Sequence, residues 1–250
     1  MKRAFQNLLP ALTGAGLLHT ALFTDLYLRY VKAGLRPPLI ASGAILLLLA
    51  LTSAATPAGR RPTGHPDGHG HPDGHGHDHT GTPRVAWLLL LPALSLLWYA
   101  PPALGAYTAA RANDKPVTVQ RGFAPLPATS PLPLTLTEFT KRVRQDRGLA
   151  IKGRTVRLTG FVTPAGRDGG WYLTRIVFSC CAADSQTVRV RMYGTPAPPA
   201  DTWLAVTGAW HPSGTLGTAT AQAALDVRDA RPIAPPVNAY TDDLPLTPSS

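Results

Sequence analysis

The chain has 250 residues, with 24 lysines and arginines against 14 aspartates and glutamates, which gives a formal net charge of +10. Charged residues make up only 15% of it, well below the roughly 25% that is usual in soluble domains. Its apolar residues concentrate before residue 111, and basic residues flanking apolar stretches are typical of a membrane protein. The sequence contains no zinc-finger, helix-turn-helix or RNP-type pattern, so we do not expect it to bind nucleic acid.

Three stretches without charged residues predict a transmembrane region over residues 1–110. Each stretch is close to or above the roughly 20 residues that a helix needs to cross the hydrocarbon core of a bilayer. The predicted helices run over about residues 4–30, 37–56 and 85–105. We prefer a retained first helix to a cleaved signal peptide, because the uncharged run is longer than the core of a signal peptide. The expected location is therefore the cell membrane, with the chain crossing it several times.

Two polar residues lie in or beside the first predicted helix. His19 falls well inside it, and Asp25 stands at its end. An ionisable group inside a membrane is costly, which makes it a functional candidate. The alternatives are a neutral histidine that hydrogen-bonds a neighbouring helix and an aspartate at the level of the lipid headgroups.

A histidine-rich segment covers residues 57–84, between the second and third predicted helices. The sequence HPDGHG occurs in it twice, at 65–70 and at 71–76. The repeats offer no large apolar side chain to bury, so we expect a disordered loop. Because neutral imidazole binds zinc, nickel and copper, the pattern predicts weak, exchangeable metal binding, with a polar linker of no selected function as the alternative. The candidate ligands are His65, His69, His71, His75, His77 and His79.

The second half of the chain predicts a small soluble β domain. Residues 111–133 form a proline-rich linker, and residues 134–232 hold one short amphipathic helix followed by five short strands. Thr135 or Thr137 is the expected cap of that helix. Short strands separated by glycine and proline indicate an OB-like barrel, in which the glycines of RLTGFV and AVTGAW mark strand bends. We interpret its basic excess as a solvated face, and residues 233–250 as a disordered tail.

The only two cysteines of the chain follow the strand predicted at residues 171–179. If Cys180 to Asp184 form a helical turn, the carboxylate projects between the two thiols. Two thiols and a carboxylate are suitable ligands for a divalent transition metal such as zinc, whose identity stays open. Alternatively, the cysteines act as small hydrophobes and Asp184 caps a turn. Neighbouring cysteines are too close along the chain for an ordinary disulfide. Arg175 and His211 are the candidate supporting residues.

Several segments together resemble a known family. They are the junction TDLYLRYVKAGLRPPL, the histidine-rich loop, the apolar run WLLLLPALSLLWYAPPALGAY and the segment RIVFSCCAADSQTVRV. This arrangement is similar to the YcgQ-like family of bacterial membrane proteins, which are regarded as permease subunits. The resemblance implies a larger multi-span permease as partner, and it implies no substrate. Arg175, Cys180, Cys181 and Asp184 stand where that family has a strand followed by CCxxD.

Three functions follow as hypotheses. The first is an accessory subunit of a membrane permease in the transport or homeostasis of a zinc-like metal ion. The second is a membrane-anchored thiol redox protein, which requires a lowered thiol pKa. The third is a structural anchor that presents the β domain to a protein partner. We do not expect an enzyme, because the sequence has no GxSxG, HExxH or P-loop motif. We expect the N-terminus and the histidine-rich loop on the cytoplasmic side, and three crossings would then place the barrel on the extracytoplasmic side.

Overall fold

A computed structural model describes residues 2–55, 104–112, 114, 116–166, 170–237 and 239–244. The predicted histidine-rich loop at 57–84 lies outside these residues, as does most of the third predicted membrane helix. The described chain forms a hairpin of two long helices followed by a small β domain.

The hairpin consists of helix α1 (Lys2–Phe23) and helix α2 (Arg36–Ala55), joined by a connector with two 3-10 turns, Leu26–Arg29 and Ala33–Leu35. The two helices approach closely at a pair of glycines, where a Cβ atom added to Gly14 would lie 2.8 Å from the carbonyl oxygen of Gly43. Small residues at a helix contact are typical of helices that pair in membranes.

The prediction of three membrane-spanning helices is wrong. Within the described residues, only Ala33–Ala55 is long and apolar enough to cross a membrane, and the apolar part of α1, Asn7–Phe23, is shorter. The first predicted span, about residues 4–30, was too long, because α1 ends at Phe23 and the connector with its 3-10 turns follows. The third predicted span, about residues 85–105, lies outside the described residues except for residues 104 and 105. Multiple crossings are therefore not supported. The predicted extracytoplasmic location of the barrel depended on three crossings, so it is not supported either.

The proline-rich linker runs along the β domain. Helix α3 (Ala106–Arg111) precedes it, and a two-residue strand β1 (Leu132–Pro133) ends it. The Nη2 atom of Arg142 donates a hydrogen bond of 2.8 Å to the carbonyl oxygen of Ala124. Helix α4 (Leu136–Gln145) follows, and the hydroxyl of Thr135 caps it by accepting the N–H of Glu138 at 3.0 Å. Thr135 is thus the cap, rather than Thr137.

The predicted β domain is present. Its strands are β2 (Thr155–Pro164), β3 (Trp171–Val177), β4 (Gln186–Tyr193), β5 (Trp203–Trp210) and β6 (Ala224–Pro232). They pair in the order β2-β3-β4-β6-β5, and β2 also pairs with β5, so these five strands close on themselves. All pairs in this ring are antiparallel except β4 with β6, while β1 pairs parallel to β2 outside it. Ring closure of five short strands is the architecture of an OB-type barrel.

The barrel encloses one hydrophobic core, which α4 covers at one side. Leu158, Leu173 and Val206 are fully buried in it, and Phe139 and Val143 of α4 pack against them. Glycines stand in β2 and β5 at the two positions where the sequence predicts strand bends. Gly160 lies where a Cβ atom would be 2.6 Å from the carbonyl oxygen of Thr174, and the register of β5 shifts at Gly208. A missing side chain lets neighbouring backbones approach at such bends.

The segment after β6 differs from the loose tail that the sequence predicts. Its Tyr240 ring stacks on Phe178, with 4.5 Å between ring centroids, and its hydroxyl donates to the carbonyl oxygen of Leu104 at 3.0 Å. A little further along the chain, the carboxylate of Asp242 accepts the N–H of Thr137 at 3.1 Å. Residues 239–242 therefore connect the start of α3, the end of β3 and the start of α4.

Candidate functional site

The cysteine loop, residues 178–185, joins β3 to β4. Cys181 has extended backbone angles, and the 3-10 turn Ala182–Asp184 follows it directly. The side chain of Asp184 thereby points back over the residues before the turn. Cys180 is exposed, while Cys181 and Asp184 are half-buried. The loop thus presents its polar atoms toward solvent.

The carboxylate of Asp184 organises the loop. It accepts hydrogen bonds from the backbone N–H groups of Ser179 at 3.0 Å, Cys180 at 2.7 Å and Cys181 at 3.2 Å. A hydrogen bond from the Cys180 thiol, together with these N–H groups, lowers the pKa of Asp184 below its usual value. The carboxylate is therefore ionised over the whole neutral range. This is the turn-capping role that the sequence offered as the alternative for Asp184, and the same side chain lies beside the thiols.

The two thiols and the carboxylate form one cluster. Their ligand atoms, two Sγ and one carboxylate oxygen, all lie within 4.8 Å of one another. The hydrogen bond to Asp184, and then the one to Cys181, raises the pKa of the Cys180 thiol to about 11. At neutral pH the apo thiol of Cys180 is accordingly protonated, because the adjacent negative charge disfavours a thiolate. A divalent cation would reverse this preference, since it replaces the proton.

The cysteine loop pairs with the connector of the helix hairpin. The N–H of Lys32 donates to the carbonyl oxygen of Cys180 at 2.9 Å, and the N–H of Ala182 donates to that of Tyr30 at 2.7 Å. Val31 and Cys181 form an antiparallel β-bridge between these two bonds. Sequence reasoning missed this contact, because local patterns carry no signal for pairing between segments that lie far apart along the chain. The cluster consequently lies directly beside the end of the hairpin.

Arg175 takes no part in the cluster. It shares the inward face of β3 with Leu173, and its side chain is buried, 1% exposed. Its Nη2 atom donates to the carbonyl oxygen of Thr241, and its guanidinium lies 5.2 Å from the centroid of the Trp203 ring. Burial lowers the pKa of Arg175 to about 10, against the opposing effect of Asp242 and Asp243. Arg175 therefore contacts Thr241 and Trp203, and it does not support the thiols as the sequence predicts.

The other candidate residues lie elsewhere in the described chain. His211 hydrogen-bonds the carboxylate of Asp226 at 2.7 Å and stacks on Tyr193. His19 is exposed on α1, 5.9 Å from the ring of Phe23. Asp25 is exposed in the connector, where its carbonyl oxygen accepts the N–H of Leu28 at 3.1 Å. None of these three groups joins the cysteine cluster, and the six loop histidines lie outside the described residues.

Fold and site together define a closed five-stranded barrel that carries a thiol–carboxylate cluster and is attached to an apolar helix hairpin. Residues 146–241 of the chain match the family of the DUF1980 C-terminal domain. The matched range begins at the end of α4 and contains all five barrel strands, the cysteine loop and Tyr240. No curated protein and no solved structure matches the chain. The chain therefore contains a DUF1980 C-terminal domain, and the resemblance to the YcgQ-like family stays a prediction.

Proposed function

We propose that this protein is a membrane-associated accessory subunit of a permease, and that Cys180, Cys181 and Asp184 bind a divalent transition metal such as zinc. The observation that carries the proposal is the convergence of three ligand atoms within 4.8 Å on a loop that pairs with the helix hairpin. The DUF1980 C-terminal domain belongs to a family associated with permease-like proteins, which supports the permease half of the proposal.

The donor set suits zinc. Thiolate sulfur and carboxylate oxygen are both common zinc ligands. The Oδ1 atom of Asp184 accepts two backbone N–H groups, while Oδ2 accepts one, so Oδ2 keeps a lone pair for a metal ion. Three protein ligands leave the fourth position of a tetrahedral ion open. An open position lets a donor or acceptor group exchange the ion, which fits a subunit that hands metal to or from a pathway.

The membrane half of the proposal rests on α2. Ala33–Ala55 is long and apolar enough to cross a bilayer, and we propose that it anchors the chain, with α1 packed on it. Large apolar side chains such as Leu48, Leu49 and Leu51 are more than half exposed on α2, and lipid would cover them. A larger partner would supply the transport pathway, because known transporter folds use repeats of several membrane helices.

The two alternative functions have less support. A redox role needs a thiol that ionises easily, whereas the Cys180 pKa is raised to about 11. The two cysteines are also adjacent, and disulfide geometry disfavours a bond between neighbours. A purely structural anchor would not need two exposed or half-exposed thiols beside a carboxylate. We therefore rank metal binding first among the three.

Cobalt binding tests the metal site. The full chain is purified in mild detergent, in a background in which the six histidines between residues 65 and 79 are replaced by alanine, so that their binding does not obscure the signal. Co²⁺ is titrated under reducing conditions, and the thiolate-to-cobalt charge-transfer absorption is followed. We expect a band that saturates at one ion per chain and that zinc abolishes by competition.

The matched variants decide the assignment. Cys180→Ser/Cys181→Ser should lose the band, whereas Ser185→Ala, which alters the same loop outside the cluster, should keep it. A band that persists in the double variant, or the absence of any thiolate band in the starting protein, would rule out metal binding at this cluster. The proposed role in a permease is tested separately. Zinc uptake is measured in cells that lack the protein and that are complemented either with the parent protein or with the Cys180→Ser/Cys181→Ser variant.

A further inference from the structure

A groove of about 500 Å³ runs along the outer face of β3 and β4, between these strands and α4. A ligand pocket for a small molecule typically has about 300–1,000 Å³. None of the three cluster residues lines this groove, and the proposed metal site makes no use of it. Its lining is basic and aromatic, with three arginines, Arg144, Arg189 and Arg191, two tyrosines, Tyr172 and Tyr193, and a single carboxylate, that of Asp114.

Two of these arginines are not neutralised by the described part of the chain. Arg189 is paired, since its Nε atom lies 2.7 Å from the Asp114 carboxylate. The guanidinium of Arg191 instead lies 5.1 Å from the ring centroid of Tyr172 and 5.8 Å from that of Tyr193. Its Nε atom is buried without a hydrogen-bond partner among the described residues. Arg144 makes one long bond, 3.4 Å, to the carbonyl oxygen of Ala221.

A second polar side chain in the same lining has an atom without a partner among the described residues. Thr140 is 9% exposed, and its hydroxyl has no hydrogen-bond partner among the described residues. It stands one helical turn before Arg144, so both side chains lie on the same face of α4. Burying an unpaired donor is unfavourable, and a bound acceptor would remove that cost. The tyrosine rings hold Arg191 in place, and they do so without cancelling its charge.

We propose that this groove binds a phosphate group, held by Arg191, Arg144 and Thr140. Guanidinium groups match the oxygen geometry of phosphate with paired N–H donors. Donors from two elements, β4 and α4, suit the several terminal oxygens of a tetrahedral phosphate. The phosphate belongs either to a small soluble ester or to a phospholipid headgroup. Under this proposal, Arg144 and Arg191 bind a ligand, while the rest of the basic excess is still interpreted as a solvated face.

Calorimetry on the full chain tests the groove. Sodium pyrophosphate is titrated in neutral detergent with a chelator present, so that the cysteine cluster carries no metal. In a second arm, the protein in nanodiscs of phosphatidylcholine is compared with nanodiscs that contain phosphatidylglycerol, and protection of the groove is read by hydrogen exchange at β4. Saturable binding of pyrophosphate would identify the ligand of the groove as a small soluble phosphate ester. Protection of β4 only in nanodiscs that contain phosphatidylglycerol would identify the ligand as a phospholipid headgroup.

Three variants make the assignment specific. Arg191→Gln should weaken binding about 10- to 100-fold, because a hydrogen bond to a charged group is lost, and Arg191→Lys should fall between it and the parent. Thr140→Val should weaken binding without any change of charge. Arg157→Gln is the matched control, since Arg157 is an exposed arginine on β2 outside the groove. Equal affinity of Arg191→Gln and Arg157→Gln, or no saturable response in either arm, would overturn the proposal.

Discussion

Asp184 has two different relations to Cys180. It keeps the thiol protonated when no metal ion is present, and under the proposed function it would bind the same metal ion as the thiolate. With a proton, the carboxylate accepts the thiol hydrogen bond and keeps the sulfur neutral. If a divalent metal binds as proposed, the same carboxylate would become an additional ligand and the thiol would lose its proton. The three backbone N–H groups that Asp184 accepts hold it in place in both situations. The loop thus keeps the Cys180 thiol protonated at neutral pH while its three candidate ligands stay close together.

The reactivity of Cys180 with pH follows from this arrangement. Because its pKa is raised to about 11, and the thiolate is the nucleophile, alkylation should be slow at pH 8 and should accelerate until the pH passes about 11. Asp184→Asn should lower the thiol pKa and increase the rate at pH 8 about tenfold or more. Iodoacetamide modification of the full chain, followed by mass spectrometry with fragment ions that separate Cys180 from Cys181, measures both rates. Equal rates with and without the Asp184→Asn change would contradict the assigned role of the carboxylate.

At this scale the sequence predicted the cluster members but not their surroundings. Cys180, Cys181 and Asp184 are close in sequence, so any compact turn brings them together, although the structure uses an extended Cys181 and a 3-10 turn instead of a helical turn. Arg175 is also close in sequence, yet strand alternation turns it to the inward face with Leu173. Side-chain direction, rather than sequence distance, decides which neighbours reach the thiols. The metal role itself stays a prediction.

Among the elements, the strands were predictable and their pairing was not. Alternating apolar residues and glycine punctuation predicted five short strands, and five strands close the barrel. The closing pair β2 with β5, and the parallel pair β4 with β6, depend on contacts far apart in sequence, which no local pattern specifies. The helix count failed for a different reason. The first predicted span was extended to about residue 30, whereas α1 ends at Phe23 and 3-10 turns follow it.

The cap of α4 gives a test at the level of one helix. Thr135→Ala removes the hydroxyl that accepts the N–H of Glu138, and loss of such a cap typically costs about 1 kcal/mol. Thr137→Val is the control, because the hydroxyl of Thr137 has no partner among the described residues. Thermal unfolding of the full chain in detergent should show a lower midpoint for Thr135→Ala only. A larger loss for Thr137→Val would contradict the cap assignment.

The glycine contact between α1 and α2 gives a second test. Gly14→Ala places a methyl group 2.8 Å from the backbone oxygen of Gly43, so the helices must separate or shift. A methyl group on Gly16 meets nothing within 4 Å, and alanine is favoured over glycine in a helix by about 0.5–1 kcal/mol. In a titration with SDS that is followed by circular dichroism, we expect the midpoint of helix loss to be lower for Gly14→Ala than for the parent protein. For Gly16→Ala the midpoint should be unchanged or higher. The reverse order would disprove the packing.

For the molecule as a whole, the pairing of the cysteine loop with the hairpin connector joins two parts that local patterns treat as separate. Lys32 has φ −67° and ψ 147°, angles that proline accepts. Lys32→Pro therefore removes the N–H donated to Cys180 with little change of the backbone. We expect faster hydrogen exchange across residues 179–185, by about fivefold for a lost bond of about 1 kcal/mol, and weaker cobalt binding.

Lys32→Ala serves as the control for this variant, since it removes the same charge and keeps the N–H donor. Hydrogen exchange with mass spectrometry on the full chain compares the two proteins. Identical exchange in both would mean that the connector does not hold the cysteine loop in solution. Faster exchange in the alanine variant as well would indicate a role for the lysine charge instead of the backbone bond.

The packing of residues 239–242 has a practical consequence for anyone who expresses the barrel by itself. A gene fragment that stops after β6, at Pro232, would leave the Phe178 ring bare. It would also deprive the inward guanidinium of Arg175 of its acceptor, the carbonyl oxygen of Thr241. We expect such a fragment to self-associate or to bind chaperones through the exposed apolar surface. A fragment that extends through Leu244 would retain the Tyr240 ring that stacks on Phe178 and the carbonyl oxygen of Thr241 that accepts from Arg175.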